Sequence, residues 1–496
     1  MKDKQSIKNI KHPIMFVGTG SDVGKSVLAA AFCRIFKEDG FQPAPFKSQN
    51  MSLNSFVTAN GGEIGRAQAV QAEACGMDCH TDMNPVLMKP NSDIGSQIIL
   101  NGKVFGNYSA GSYFRGDIKE QLFAEAMKAY NRLAKNHSPM VLEGAGSISE
   151  LNLKNNDIAN MRVAIATNAA TILVADIERG GVFASVYGSI QLLTPEERAR
   201  IKGIIINKFR GDISLFNEGP KIIESLTKVP VLGVIPTFNH IQIEEEDSVS
   251  LDRKSVFANE HKVNIAVVLL RRMSNFTDFD RLEGDERVHL LYTNNQIELQ
   301  KADIIILPGS KNTIGDLMEL RRNGIASEVL KLARAGKTVI GICGGYQMMG
   351  QCIEDPLGIE SNVKTVPGLN ILPTKTILEE EKQTVRSTFH FKNSEKWCTG
   401  YQIHMGKTTF SEKAIPLNQM ENGENEGCYI ENKCWGTYMH GILDNPVVID
   451  DLLKPFTKEK NQQEDYEVFK QRQYSLLAEH VRKNVDMNLV YKLLSE

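Results

Sequence analysis

What the chain of 496 residues lacks narrows its function first. It has no excess of charge of one sign: 57 Lys and Arg stand against 60 Asp and Glu, a formal net charge of −3. No short segment is dense enough in Lys or Arg to override that balance, so a nucleic-acid partner is not expected. Long apolar runs are missing too. The strongest, VNIAVVLL at 263–270, is under half of the roughly 20 residues needed to span a bilayer, so no membrane partner is expected. The basic N-terminal stretch MKDKQSIKNIKHP carries no apolar core of the kind a secretory signal needs. The eight cysteines include no CxxC pair, and the spacings Cys75–Cys79 and Cys428–Cys434 suit neither zinc ligands nor a disulfide framework. Repeats and low-complexity tracts are absent. These features together lead us to expect a soluble, cytoplasmic protein with reduced thiols that acts on small molecules; they leave its oligomeric state open.

What is present is a regular alternation. From residue 14 to about 236, short apolar runs (IMFVG, PMVLEG, ATILVAD, KGIIINKF, VPVLGVIP) are spaced by helical patterns, the first over 25–38. Apolar runs that do not alternate with polar residues, separated by helices, indicate a parallel sheet covered on both faces. An acidic, loop-like segment then runs from EEEDS (244–248) to about 261, and a second series follows: VNIAVVLL, ADIIILPGS, KTVIGICGG, GYQIHMG and WGTYMHG. The expected fold is α/β, with two doubly wound, mostly parallel-sheet domains at 12–255 and 262–450. A charged, helix-favouring extension at 451–496 closes the chain.

GTGSDVGKS (18–26) follows a strand and opens a helix, the context in which a phosphate-binding loop has meaning. Backbone N–H groups around Ser21, Val23 and Gly24 can cradle phosphate oxygens, Lys25 can reach the β- and γ-phosphates, and the Ser26 hydroxyl can hold Mg²⁺. ATP is the expected nucleotide. The usual GxxxxGK[ST] spacing puts Gly where this chain has Thr19, and GT ahead of VGK[ST] resembles the modified loop of dethiobiotin synthetase-like amide-forming ligases. Glu143, in PMVLEGAGS, stands at the C-terminal end of a strand, where open α/β sheets collect ligands, and is the expected second Mg²⁺ ligand. Asn207 is at another strand end and could read the base. Lys47, Glu63 and Arg66, in APFKSQNMSLNS and EIGRAQ, suit a carboxylated substrate or, for Glu63, the metal.

A second kind of chemistry is written in GICGGYQMMG (341–350). Cys343 stands between an apolar strand and a helix start, flanked by glycines, as a nucleophile on a strained elbow would. A thiol nucleophile usually needs a histidine partner, and His440 in WGTYMHGIL is the candidate. A backbone N–H near Gly309 or Ser310, with that of Gly344, would form an oxyanion hole. Gln347, one helical turn past the thiol, is set to touch the substrate.

This second half resembles class I glutamine amidotransferases. The whole chain, over about 14–445, closely resembles the cobyric acid synthase family through GTGSDVGKS, APFKSQNMSLNS, EIGRAQ, MNPVLMKP, EGAGS, VADIERGGVFAS, INKFRGD, SNFTDFD, LPGSKNT, GICGGYQMMG, GYQIHMG and GTYMHGILDN. The resemblance implies ATP- and glutamine-dependent amidation of a corrinoid, adenosylcobyrinic acid a,c-diamide, at four peripheral carboxylates (b, d, e and g). It also implies a path for ammonia between two sites. Rival readings are the related a,c-diamide synthase, a P-loop partitioning-type ATPase with a non-catalytic amidotransferase-like module, and a cysteine hydrolase without ligase activity. One departure concerns His440: many class I amidotransferases carry Glu two residues later, where this chain has Ile442. A Cys–His dyad without an acidic orienter is therefore expected, with a backbone carbonyl orienting the imidazole.

Overall fold

The computed structural model describes residues 10–91, 95–115, 118–238, 240–244, 255–259, 261–410, 414–430, 433–459 and 464–496. Residues 1–9 of the basic N-terminal stretch and 245–248 of the acidic segment lie outside them.

Six strands form the first sheet, all parallel, in the order Val231–Pro236, Ile201–Phe209, Ala170–Asp176, Ile14–Gly18, Met140–Glu143, Ala44–Phe46. Side chains alternate across a strand, and here both faces are buried. Ile14, Phe16, Ile172 and Val174 join one core with Phe32 of the helix Lys25–Glu38. Met15, Val17, Leu173 and Ala175 join another with Ala126, Ala129 and Val186. Every position therefore favours an apolar residue, and the runs read as unbroken.

The helices Tyr466–Asn484 and Met487–Ser495 return to this first sheet, filling its core with Tyr474, Leu477, Val481 and Leu494. Gly233 pairs with Val485 at the sheet edge. Along the chain, between the paired strands Ala44–Phe46 and Met140–Glu143, comes a separate four-stranded sheet (Gln49–Met51, Val86–Pro90, Gly95–Leu100, Lys103–Ser109).

The second sheet is parallel through Val288–Thr293, Val263–Val268, Ile304–Leu307, Thr338–Ile342 and Cys434–Thr437. It continues antiparallel into Asn425–Ile430, Ile415–Met420 and a long hairpin, Thr374–Phe391 with Trp397–Phe410. That hairpin reaches the first unit. Tyr401 and Ile403 pack on Val57, and the Arg386 guanidinium donates to the Val57 carbonyl at 2.7 Å. No described helix is long and apolar enough to cross a membrane.

Candidate active sites

At the C-terminal end of Ile14–Gly18 the chain turns into its first long helix through Asp22 (φ 54°) and Gly24 (φ 95°). Gly24 is required twice over: its φ is left-handed, and a Cβ there would lie 2.2 Å from the Asn207 amide nitrogen. Asn207 donates to the Val23 carbonyl at 2.9 Å, and Thr19 ties its N–H to the Val174 carbonyl at 3.0 Å, so these residues shape the loop through its backbone. The Lys25 ammonium donates to the carbonyls of Gly20 and Gly146, both at 2.9 Å. Beside it, Glu143 accepts from Ser26 and Lys47 on one oxygen and from Gln71 on the other, each at 2.7 Å. Burial alone would push this carboxyl up; the Lys47 charge and the three hydrogen bonds outweigh it and hold it below the ordinary value.

Ser21, Gly24, Lys25, Ser26, Lys47, Glu143 and Asn207 line a cavity of about 930 Å³, which extends past Asn54, Met273 and Phe276. Among the described residues, no cluster of three or more His, Cys, Asp or Glu side chains could hold a metal ion. Mg²⁺ needs none, because it takes one or two protein oxygens and completes its octahedron with water and phosphate. The paired Ser26 hydroxyl and Glu143 carboxylate fit that donor set.

Two expectations are corrected here. Glu63, expected with the metal, is buried between Lys89 (2.7 Å) and Lys382 and accepts from Ser55 at 2.8 Å. Arg66, expected on substrate, is buried against Glu244 and the Phe56 ring. Neither is among the residues lining the large cavity. Buried ions are costly unless paired, so both carry structural ion pairs, and the Lys382 pair ties the long hairpin of the second sheet to the first unit.

The thiol site lies at the end of Thr338–Ile342. Cys343 has φ 52° and ψ −109°, a strained elbow immediately before the short helix Gly344–Met349. A Cβ on Gly344 would lie 2.8 Å from the Ser310 backbone nitrogen, so only glycine lets these two backbones meet. Gly309 sits against the His440 ring, 3.4 Å from the position its own Cβ would take. The Gln347 amide donates to the Tyr438 hydroxyl at 3.2 Å, while its buried carbonyl oxygen has no hydrogen-bond partner among the described residues. Cys343 and Gln347 line a cavity of about 60 Å³ with Ser310, Lys382 and, from the first unit, Lys89 and Gln97.

His440 is buried, and the Cys343 thiol close by donates to the Ile403 carbonyl at 3.6 Å. Its orienter is not a backbone carbonyl: the Nδ1 atom lies 2.7 Å from Asp278 Oδ2, and Asp278 Oδ1 accepts the Gly441 N–H at 2.9 Å. This overturns the expected dyad. Burial pulls the imidazole down, but the charge and hydrogen bond of Asp278, helped by Cys343, push it up to about 10. Sequence reasoning missed Asp278 because it looked two residues past His440, whereas the carboxylate arrives from 162 residues upstream, within the SNFTDFD motif. The other nearby imidazole, His404, stacks on Tyr438 and is pulled down to about 4 by burial.

A phosphate loop and a Cys–His–Asp site on one chain define an amidoligase that draws its nitrogen from glutamine. Residues 14–250 match the CobQ/CobB/MinD/ParA nucleotide binding domain, and residues 264–448 match the CobB/CobQ-like glutamine amidotransferase domain. The chain is similar to the cobyric acid synthase of Phocaeicola vulgatus, with 58% identity over 98% of this chain and 99% of that one. It is 59% identical to that of Parabacteroides distasonis over 98% and 99%, and 46% identical to that of Limosilactobacillus reuteri over 97% and 98%. It belongs to the cobyric acid synthase family. Neither the a,c-diamide synthase nor the partitioning-ATPase reading is favoured by these relatives.

Proposed function

We propose that the chain converts adenosylcobyrinic acid a,c-diamide to adenosylcobyric acid in the cytoplasm, with four amidations driven by ATP and glutamine. The observation that carries this reading is the Ser26–Glu143 pair at the phosphate loop, in the same molecule as Cys343, His440 and Asp278. A carboxylate is a poor acyl donor. Its oxygen attacks the γ-phosphorus of ATP, ADP leaves, and the resulting acyl phosphate is open to ammonia, which expels phosphate as the amide C–N bond forms.

At the loop, Lys25 and the N–H groups of Ser21 to Gly24 hold phosphate charge, with Thr19, Val23 and Asn207 shaping the backbone. Ser26 and Glu143 would hold Mg²⁺, which when bound neutralises charge on the phosphates. Lys47 keeps Glu143 ionised and faces the same cavity as the incoming carboxylate. At the other site the Cys343 thiolate attacks the side-chain carbonyl of glutamine, while N–H groups at Gly309 or Ser310 and Gly344 stabilise the oxyanion. His440 protonates the departing ammonia, then takes a proton from the water that releases glutamate from the thioester. Gln347, with an unsatisfied carbonyl, meets the substrate.

We propose the corresponding division of the chain into a synthetase unit (12–255), an amidotransferase unit (262–450) and a terminal helical segment (451–496) that completes the first unit. The test is amide formation on the a,c-diamide, followed by mass spectrometry with ATP and glutamine. Four successive mass losses of about 1 Da, one for each OH replaced by NH₂, are expected; no ATP-dependent change would sink the reading.

A further inference from the structure

Segment 50–55 of the first unit, which joins the end of the strand Gln49–Met51 to the start of Ser55–Val57, lines the large cavity through Asn50, Ser52 and Asn54. The same segment grips the stretch that carries the histidine's orienting carboxylate. Asn54 Oδ1 accepts the Phe276 N–H at 3.0 Å, and the Ser55 N–H donates to Asn275 Oδ1 at 3.1 Å. Both asparagines are buried. Asn275 has φ 53° and ψ 46°, which aims its side chain back at the first unit, and its amide donates to the Tyr401 hydroxyl at 3.3 Å. Three residues later Asp278 holds His440. Tyr401 reaches the same histidine by a second route: its backbone pairs with His440, and its ring stacks on the imidazole at 5.4 Å between centroids. Met273 and Phe276, on either side of Asn275, face the large cavity, while Ser274 lines the thiol cavity.

We infer that this reciprocal clamp, Asn54–Ser55 on Asn275–Phe276, ties glutamine hydrolysis to the state of the large cavity, with Asn275 as a positioning residue for His440. The inference rests on the proposed reading of that cavity as the site of ATP and the corrinoid. Ligands that settle segment 50–55 settle Asn275 with it, and through Asp278 and Tyr401 the imidazole. A histidine out of place by a fraction of an ångström slows hydrolysis without changing how glutamine binds.

Asn275→Gly tests this, because glycine keeps the left-handed backbone and deletes both side-chain hydrogen bonds. Asn275→Asp keeps the acceptor for the Ser55 N–H. Glutamate release is measured alone and with ATP plus the a,c-diamide, and ammonium-driven amidation is measured separately. The glycine variant is expected to lose roughly 10–10² in kcat for hydrolysis, with KM for glutamine and ammonium-driven amidation unchanged. The stimulation of hydrolysis by ATP plus corrinoid in the native chain should vanish in it, and the aspartate variant should recover most of both. Native kcat in the glycine variant, stimulation that survives in it, no stimulation in the native chain, or equal losses with glutamine and ammonium would each overturn the inference. Failure of the underlying reading would show elsewhere, as a native chain that cannot amidate the corrinoid even with ammonium, while the hydrolysis assay still tests the clamp.

Discussion

The two sites solve opposite problems of space. The phosphate-loop cavity measures about 930 Å³ and the thiol cavity about 60 Å³, and at each site a key ionisable group is held by a buried partner of opposite charge. At the large site a carboxylate, Glu143, is kept anionic by Lys47. At the small one an imidazole, His440, is kept cationic by Asp278. The large site has far more room than the small one. The small one has walls from both units, Lys89 and Gln97 from the first and Cys343 and Gln347 from the second. Charge is fixed in advance at both, and both draw on the two units: the large cavity takes Met273 and Phe276 from the second, the small one Lys89 and Gln97 from the first.

The contrast is broken most sharply at Cys343. Cys343→Ala is expected to cut glutamine-driven amidation by more than about 10⁴-fold and to leave amidation with ammonium at mildly alkaline pH near the native rate, because only unprotonated ammonia attacks the acyl phosphate. Parallel assays with the two nitrogen sources on a folded variant check it; full activity with glutamine would make the thiol structural. Next in size, Lys25→Ala should lower amidation with either source by about 10²–10³, while glutamate release in the absence of corrinoid is spared. Loss of only the glutamine-driven rate would assign Lys25 to the wrong site.

Asp278→Asn should slow glutamate release by roughly 10²-fold and change its pH behaviour. In the native chain the folded-state pKa of His440 is raised to about 10. The pair therefore contributes stability in full below the ordinary imidazole value, and that contribution is lost as pH rises through about 10. Without the carboxylate charge, burial dominates and the imidazole becomes neutral at ordinary pH. The difference in Tm between native and variant should accordingly be largest in mild acid and shrink toward pH 10; a difference that grows with pH would contradict the assignment. The smallest effect belongs to the first unit alone. Tyr474 donates to Glu73 at 2.8 Å, so Tyr474→Phe should cost about 2 kcal/mol of stability, read by denaturant unfolding, with kcat for glutamine hydrolysis unchanged.

How much of this was legible depends on whether a feature is local. The strands at Ile14–Gly18 and Ala170–Asp176 announce themselves because both faces are buried, and the helix Lys25–Glu38 because it starts at a glycine-rich turn. Cys343 and Lys25 are readable for the same reason: each is placed by its immediate neighbours. Glu63 and Arg66 misled because a charged residue beside glycines looks like a ligand-binding group, whereas their partners, Lys382 and Glu244, are 319 and 178 residues away in sequence. The long strand Thr374–Phe391 was invisible for a different reason. Its middle, EEEKQTVR, is largely exposed, and its pairing with Trp397–Phe410, more than its own apolar content, holds it extended.

The return of the last two helices to the first sheet has a consequence for biosynthesis. Tyr474, Leu477, Val481 and Leu494 close a face of that sheet, yet a ribosome delivers them only after the second sheet, residues 263–437, has been made. Chains are synthesised at about 5–20 residues per second, with N-terminal units folding first. The nascent nucleotide-binding unit must therefore wait, with one apolar face uncovered, for at least about ten seconds while its neighbour is built. The amidotransferase half is, in effect, spliced into the folding programme of the synthetase half, and a chain stalled between the two would expose the very surface its final helices exist to cover.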